Sequence, residues 1–222
     1  SREDVEEDKT DEDAEGTEDA KLLASGNAVY YGEYGVWFDS VTHTITKGAN
    51  RTSITIPSEI DGYIVSTIAD YAFQNCYWLK SIDIPATVTN LGYKTFANCT
   101  SLQSITIPKT VTSGSYLFDG CTNLKEISFA AGTKSIPNSI INGCPAVEKI
   151  NLPVGLLKLG DYAFANCAKL SSVTLPTTLT DMGQYTFKNC PALTSITIPK
   201  NVTAGSSLFN GCTNLTEVTF SA

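Results

Sequence analysis

Residues Asp161 to Pro176 read DYAFANCAKLSSVTLP, and near-copies of this stretch recur from Asp70 to the C-terminus. Each copy is marked by a cysteine, and consecutive cysteines lie 22 or 23 residues apart. A short, fixed period is typical of a solenoid, in which each repeat forms one coil that contacts its neighbours. The seven cysteines are Cys76, Cys99, Cys121, Cys144, Cys167, Cys190 and Cys212.

Each copy contains a short predicted strand after the cysteine. The positions six and eight residues after the cysteine are apolar in every coil, and residues two apart share one face of a strand. Many of these residues are β-branched, as strands favour. In five coils a proline follows directly, and its missing N–H would end the strand ladder. These prolines are Pro85, Pro108, Pro153, Pro176 and Pro199.

A compact turn is predicted before each cysteine. A phenylalanine stands three residues before the cysteine in six coils, and Ile141 is the exception. The residue directly before the cysteine is always Asn or Gly, as in Asn166 and Gly211. These two types interchange where the backbone adopts the left-handed conformation that ends a helical turn. We therefore expect a one-turn helix with an Asn or Gly cap.

The pattern C-x-x-L-x-x-I-x-I-P-x-x-V-T-x-I-G-x-x-A-F-x-N resembles the leucine-rich repeats of the BspA-like, or Treponema-type, family of bacterial surface proteins, over about residues 54–220. The resemblance implies an α/β repeat solenoid. In detail, it implies a right-handed leucine-rich-repeat superhelix with a parallel β-sheet on the concave side and short helical turns opposite. It also implies secretion or cell-surface display, and binding to proteins or other cells. Two coils depart from the pattern, with Ala130 in place of the proline and Ile141-Asn142-Gly143 in place of F-x-N.

Three regions are expected along the chain. Residues 1–26 are interpreted as an acidic, disordered tether. Residues 1–20 hold eleven acids and two bases, and their like charges repel one another. An acidic interaction tail is the alternative. Residues 27–53 are rich in aromatic and β-branched residues and predict a β-hairpin or short strands. They would form an N-terminal β cap that covers the first coil. Residues 54–222 form the solenoid.

Composition excludes several function classes. Residues 21–222 hold 12 acids and 13 bases, so the large basic footprint of a nucleic-acid-binding protein is absent. No window approaches the ~20 consecutive apolar residues of a membrane-spanning helix.

The chain starts without Met or a signal segment, which fits a mature or trimmed product. It ends without a polar capping segment, which fits a longer array.

The cysteines are predicted to be buried free thiols. They share one phase of the repeat, and an odd number cannot pair completely. Strands ~4.8 Å apart would bring neighbouring cysteines within disulfide reach, so distance alone leaves bridges open. A metal site is disfavoured because the ladder spreads its thiols along an axis.

No catalytic or cofactor site is predicted. His43 is the only histidine, which excludes a paired-histidine site, and we expect it to be an exposed strand residue. The sequence contains no G-x-S-x-G, H-E-x-x-H, P-loop or G-x-G-x-x-G motif. Tyr77 and Trp78 stand where later coils carry smaller or more polar residues, and we expect them to pack under the cap. The chain is predicted not to be an enzyme.

Two surfaces are candidate binding sites. The first is the strand row, formed by the outward positions five and seven residues after the cysteine. It comprises Ser81, Asp83, Ser104, Thr106, Glu126, Ser128, Lys149, Asn151, Ser172, Thr174, Ser195 and Thr197, with Glu217 and Thr219 in the last coil. The second is the tyrosine row, which comprises Tyr71, Tyr93, Tyr116, Tyr162 and Tyr185. Each row has an ordinary structural role as its alternative. The strand row would be ordinary exposed strand residues, and the tyrosines would be rings that pack on each other.

A longer duplication overlies the short repeat. Residues 92–130 match residues 183–221 at an offset of 91, with 25 of 39 positions identical. Duplication of four coils suits a surface that gains reach, and it suits a single catalytic pocket poorly. The sequence therefore favours a secreted or cell-surface adhesion module that binds a protein or glycan, possibly from a host. The alternative is a spacer with no ligand of its own, and the oligomeric state stays open.

Overall fold

The computed structural model describes residues 26–221, so all of the predicted tether except Gly26 lies outside the described part of the chain. The described residues form short strands joined by turns. The strands are β1 (Val29–Tyr31), β2 (Val36–Asp39), β3 (Thr44–Gly48), β4 (Ser53–Thr55), β5 (Glu59–Ile60), β6 (Tyr63–Ile64), β7 (Thr67–Ile68), β8 (Ser81–Asp83), β9 (Asn90–Tyr93), β10 (Ser104–Ile107), β11 (Ser113–Ser115), β12 (Glu126–Phe129), β13 (Ser135–Ile136), β14 (Lys149–Asn151), β15 (Lys158–Leu159), β16 (Ser172–Val173), β17 (Asp181–Met182), β18 (Ser195–Ile198), β19 (Thr203–Ala204) and β20 (Glu217–Phe220).

The predicted strand after each cysteine is present in every coil. With β4 of the irregular first coil, these strands form parallel sheets in the orders β4-β8, β10-β12-β14-β16 and β18-β20. Equivalent positions pair, so that Glu126 lies beside both Ser104 and Lys149. Exposed and buried positions alternate along β10 and β18, whereas all four residues of β20, in the last coil, are exposed. Residues one repeat apart in the sequence are therefore paired on neighbouring strands.

A second ladder of strands was not predicted. It follows the orders β3-β7-β9-β11 and β13-β15-β17-β19, and all of these strands pair in parallel. Its strands come from the V-T-x-I-G part of the repeat. The sequence signal is a two-residue alternation too short to stand out alone, as in exposed Lys158 followed by buried Leu159. Each coil therefore uses two short strands.

The expected helical turns are wrong, because residues 26–221 contain no helix. Two left-handed residues bracket each turn, for example Tyr162 with φ 54° and Asn166 with φ 58°. Alternate N–H groups donate to the next coil, from Phe164 to the Thr186 carbonyl at 3.0 Å and from Asn166 to the Lys188 carbonyl at 2.7 Å. A helix would direct these groups along its own chain. The predicted left-handed Asn or Gly before the cysteine is confirmed in all seven coils.

The two departures from the repeat are accommodated locally. Without a proline, the N–H of Ala130 is free to donate to the Ile107 carbonyl at 2.9 Å. In the other coil, Asn142 lies one position earlier than the usual asparagine, and its side chain is buried. Its Oδ1 accepts a hydrogen bond from Asn166 Nδ2 at 2.7 Å. Both departures leave the stacking of the coils intact.

Phenylalanine rings form the centre of the core. Phe73, Phe96 and Phe118 are fully buried and lie in stacked contact, with ring centroids 5.4 and 5.5 Å apart. A second run continues from Phe164 through Phe187 at 5.6 Å. Ile141 interrupts the series between the two runs. The buried phenylalanine rings of the core are therefore aligned along the solenoid axis.

The cysteines form a ladder of free thiols, as predicted. Six are buried and Cys212 is half-buried. The thiol donates to a carbonyl of the preceding coil, as from Cys99 to Phe73 at 3.1 Å and from Cys190 to Phe164 at 3.3 Å. Burial raises the pKa of the Cys76 thiol to about 11, so little reactive thiolate forms at neutral pH.

The N-terminal strands join the solenoid directly. β1, β2 and β3 form an antiparallel sheet, and β3 then pairs in parallel with β7. Asp61 and Gly62 form the turn that joins the antiparallel strands β5 and β6, with φ values of 51° and 83°. No helix among residues 26–221 is long or apolar enough to cross a membrane.

Two single-residue expectations near the cap are wrong. His43 lies in a turn with φ 57° and is half-buried, with Nδ1 2.9 Å from the Ile64 carbonyl oxygen. Tyr77 and Trp78 are not packed under the cap, because 47% and 54% of their surfaces are exposed. They follow Cys76 in a turn that points their rings outward, where they contact each other edge to face at 6.1 Å.

Replacing Phe164 by alanine should destabilise the protein by ~3–5 kcal/mol, because it removes a buried ring and leaves a cavity between coils. The matched change Phe209→Ala should cost less, since Phe209 is only partly buried. Urea unfolding of both variants measures the difference. Equal losses would contradict a core in which each ring is held by neighbours on both sides.

Thiol titration should find seven groups in protein denatured without reductant, since all seven cysteines are free. In the native protein only Cys212 should react readily, because burial shields the other six. Cys212→Ser should remove this fast-reacting group, and Cys167→Ser should leave it in place. A denatured count below seven would show that disulfides exist.

Candidate binding surfaces

The strand row is joined from coil to coil by polar contacts. At its centre Glu126 Oε1 lies 3.2 Å from Lys149 Nζ and also accepts a hydrogen bond from Asn151 Nδ2. Asn151 Nδ2 lies 2.9 Å from Ser128 Oγ as well. The hydrogen bonds from Asn151 and Lys149 lower the pKa of the Glu126 carboxyl. The centre of the row therefore presents a fixed carboxylate with a lysine beside it.

Hydroxyl groups continue the same row toward both ends. Thr197 and Thr219 lie 2.9 Å apart through their Oγ1 atoms, on neighbouring strands. At the other end, Ser81 donates to Ser53 at 2.9 Å. These contacts follow from the parallel register, which places equivalent side chains one strand apart. The register thus brings the predicted row together on one sheet surface.

Two grooves lie along the strand row. The first encloses about 680 Å³ over β8, β10 and β12, and the second about 350 Å³ over β16, β18 and β20. The polar residues that line the first are Ser81, Asp83, Ser104, Thr106, Lys109, Glu126 and Ser128. Those that line the second are Ser172, Thr174, Thr177, Ser195, Thr197, Glu217, Thr219 and Ser221. The sequence alone predicted the strand row, but it did not predict the two grooves within it.

The tyrosine row consists of two separate groups of rings. Tyr71, Tyr93 and Tyr116 contact edge to face, with successive centroids 5.6 and 5.8 Å apart. Tyr162 and Tyr185 stack at 4.9 Å. Ser139 occupies the equivalent position between the groups. The rings therefore pack on each other within each group, and the row is not continuous.

Lysines of the protein itself cover part of the tyrosine row. Lys94 Nζ lies 5.4 Å from the centre of the Tyr93 ring and 2.6 Å from the Asp119 carboxylate. Lys188 Nζ lies 5.2 Å from the Tyr185 ring centre. A cation over an aromatic face satisfies that face electrostatically. The tyrosines are thus already engaged by neighbours, whereas the grooves of the strand row are open.

A third concave surface, of about 330 Å³, lies over the second strand ladder and includes Lys158, Asp181 and Gln184. Sequence reasoning missed it together with the ladder. A glycine signal was available, because Gly160, Gly183 and Gly205 lie against the backbone of the preceding coil. A Cβ added at Gly183 would lie 2.4 Å from the backbone nitrogen of Asp161, which leaves no space for a side chain.

Comparisons with known proteins agree with this geometry. The sequence profile of the BspA type leucine rich repeat region matches residues 43–157 and 134–222, with 6 copies. A leucine-rich repeat protein from Eubacterium ventriosum is 36% identical with a TM-score of 0.70, over 84% of this chain and 50% of its own. The chain thus spans about half the length of that protein. A comparison with curated proteins gives no match.

The leucine-rich repeat protein TpLRR from T. pallidum is 26% identical with a TM-score of 0.68, over 85% of this chain and 87% of its own. The similarity thus extends across the solenoid rather than to one coil. The resemblance in the repeat pattern is confirmed by the profile match and by both structures. The chain belongs to the BspA-type leucine-rich repeat family.

Proposed function

We propose that this protein is a non-catalytic module of a bacterial surface or secreted protein, and that it mediates adhesion by binding a protein or glycan along the strand row. The observation that carries the proposal is the pair of open grooves on that row. The strand row would form the concave side of a right-handed superhelix, as the family resemblance implies. Extended surfaces of this kind are the usual binding sites of solenoids.

The chemistry of the strand row favours a ligand that contacts several coils. Its side chains are mostly small hydroxyls, and the charged pair Glu126 and Lys149 is exposed to solvent. One exposed charge pair or hydroxyl adds little affinity. The aligned rungs offer many such contacts at once on a rigid frame. Little conformational entropy is therefore lost on binding.

A spacer without a ligand is the second candidate. It is favoured by the contacts within the row, since Glu126, Asn151 and Ser128 already bond to one another. Thr197 and Thr219 do the same. Self-satisfied side chains give a partner fewer free groups to bind. The two candidates differ in whether the row retains any ligand.

Capture experiments separate these candidates. The purified protein, immobilised through its N-terminus, should retain at least one component from a panel of host matrix proteins and a glycan array. A chain of the same composition in scrambled order is the control for non-specific capture. A spacer should retain nothing above this control.

Replacing Glu126, Lys149 and Asn151 together by alanine should weaken the captured interaction by about tenfold or more, the loss expected when charge-assisted hydrogen bonds are removed. The thermal unfolding midpoint should change little, because the charges are exposed. Surface plasmon resonance and thermal denaturation measure the two effects.

The control for this triple variant is the pair Lys158→Ala and Asp181→Ala, which removes one charge of each sign from the second ladder. It should bind normally. If the triple variant binds normally and replacement of Tyr116 and Tyr162 abolishes binding, the tyrosine row is the working surface.

A further inference from the structure

The two grooves of the strand row share most of their polar lining. All six strand-row positions that line the first groove recur in the second at the offset of 91 residues, whereas Lys109 lines the first groove alone. Four positions are identical, namely Ser81 with Ser172, Ser104 with Ser195, Thr106 with Thr197 and Glu126 with Glu217. The clearest difference is Asp83, which becomes Thr174. The duplication seen in the sequence has therefore reproduced a concave surface.

The strand register beneath the grooves is repeated along with these residues, although the first groove encloses about 680 Å³ and the second about 350 Å³. In the first, Ser104 pairs with Glu126. In the second, Ser195 pairs with Glu217 in the same register. Each groove also lies over a break in the strand ladder, between β8 and β10 in one case and between β16 and β18 in the other. The two sites thus lie at equivalent places along the strand row.

The lining chemistry favours a hydroxyl-rich ligand. Among the described residues that line the two grooves there is no Trp, Tyr or Arg, the types that dominate protein–protein hot spots. The lining instead presents Ser and Thr hydroxyls, which both donate and accept, beside the carboxylate acceptors of Glu126 and Glu217. Hydroxyl and carboxylate groups together complement the hydroxyls of a sugar chain.

The separation of the grooves indicates a ligand that repeats. Equivalent strands β10 and β18 are four rungs apart, which is ~19 Å at the usual strand spacing. Two equal sites at a fixed distance hold a polymer more strongly than a single unit, because binding at one site raises the effective concentration at the other. A ligand with one recognition unit gains nothing from the second groove.

We propose that the two grooves are paired subsites for one linear, neutral polysaccharide chain that runs along the strand row. This inference rests on the proposed binding function and narrows its ligand class. The polymer would place a sugar unit against the Ser104 and Glu126 groove and a later unit of the same chain against the Ser195 and Glu217 groove. Neutral chains are favoured because neither groove has the excess of basic residues that would bind an acidic polymer. The charged lining residues are Asp83, Lys109 and Glu126 in the first groove and Glu217 in the second.

Affinity electrophoresis in gels that contain amylose, laminarin, xylan or hydroxyethylcellulose tests this proposal, with the matching disaccharides as monovalent probes. Two matched variants each remove one serine and one carboxylate: Ser104→Ala with Glu126→Ala, and Ser195→Ala with Glu217→Ala. The control, Ser135→Ala with Asp181→Ala, makes the same kind of change on the second ladder. Thermal denaturation verifies that all variants are folded.

At least one polysaccharide should retard the unaltered protein, and each groove variant should weaken that retardation about tenfold or more. Combining the two should abolish it, and the control should behave as the unaltered protein. For the disaccharide, calorimetry should find two equal weak sites that fall to one in each groove variant, with the remaining site changed less than about twofold.

Loss of binding in only one groove variant would overturn the pairing of the grooves, as would equal affinity for polymer and disaccharide. Retention of a host protein but of no polysaccharide would overturn the sugar ligand and leave the proposed function standing. Failure to retain any protein or glycan would overturn both.

Discussion

Every other feature of this structure depends on hydrogen bonds between the backbones of successive coils. Buried N–H and C=O groups need partners, and these coils are too short to supply them internally. Each turn therefore donates alternate N–H groups to the next coil, as Phe164 does to Thr186. Both strand ladders are built in the same way, with equivalent positions in register. A coil is stable only against a neighbour of matching conformation, which explains why the repeat varies so little.

The same register aligns side chains, and the aligned polar groups satisfy one another. Asn98 donates to Asn75 at 3.0 Å, and Asn189 donates to Asn166 at 2.8 Å. Asp161 Oδ1 accepts the backbone N–H of Gln184 in the next coil at 2.8 Å. Within residues 26–221 no buried side-chain nitrogen or oxygen lacks a partner. Such complete satisfaction favours a single stacking register over shifted ones.

Stacking also determines how the surface is built. Because each outward position falls on a straight row, a change in one coil alters one rung and leaves the others in place. Duplication of four coils then copies a whole surface, including the grooves that contain Ser104 and Ser195. A solenoid can thus acquire a second equivalent site without any new fold. This property suits the recognition of extended, repeating ligands better than the chemistry of a single enclosed pocket.

The sequence by itself determined what is local and periodic. The recurrence of DYAFANCAKLSSVTLP determined the length of a coil, the strand after each cysteine, the buried positions and the left-handed Asn or Gly before the cysteine. The free state of the thiols followed from their common phase. Each of these depends on the residue and its repeat position, which the one-dimensional pattern records directly.

Tertiary structure alone decided what depends on the partner coil. The turn at Tyr162 to Asn166 is not helical because its N–H groups bond across to the next coil, and no local propensity reports that choice. The strands of the second ladder are two or three residues long in most coils. They form because they pair with strands of neighbouring coils, and the sequence pattern of one coil is too short to predict them. The location of the grooves depends on where neighbouring strands separate, and the exposure of Trp78 depends on the direction of the turn after Cys76. These features arise from contacts between coils, and a single repeat does not contain them.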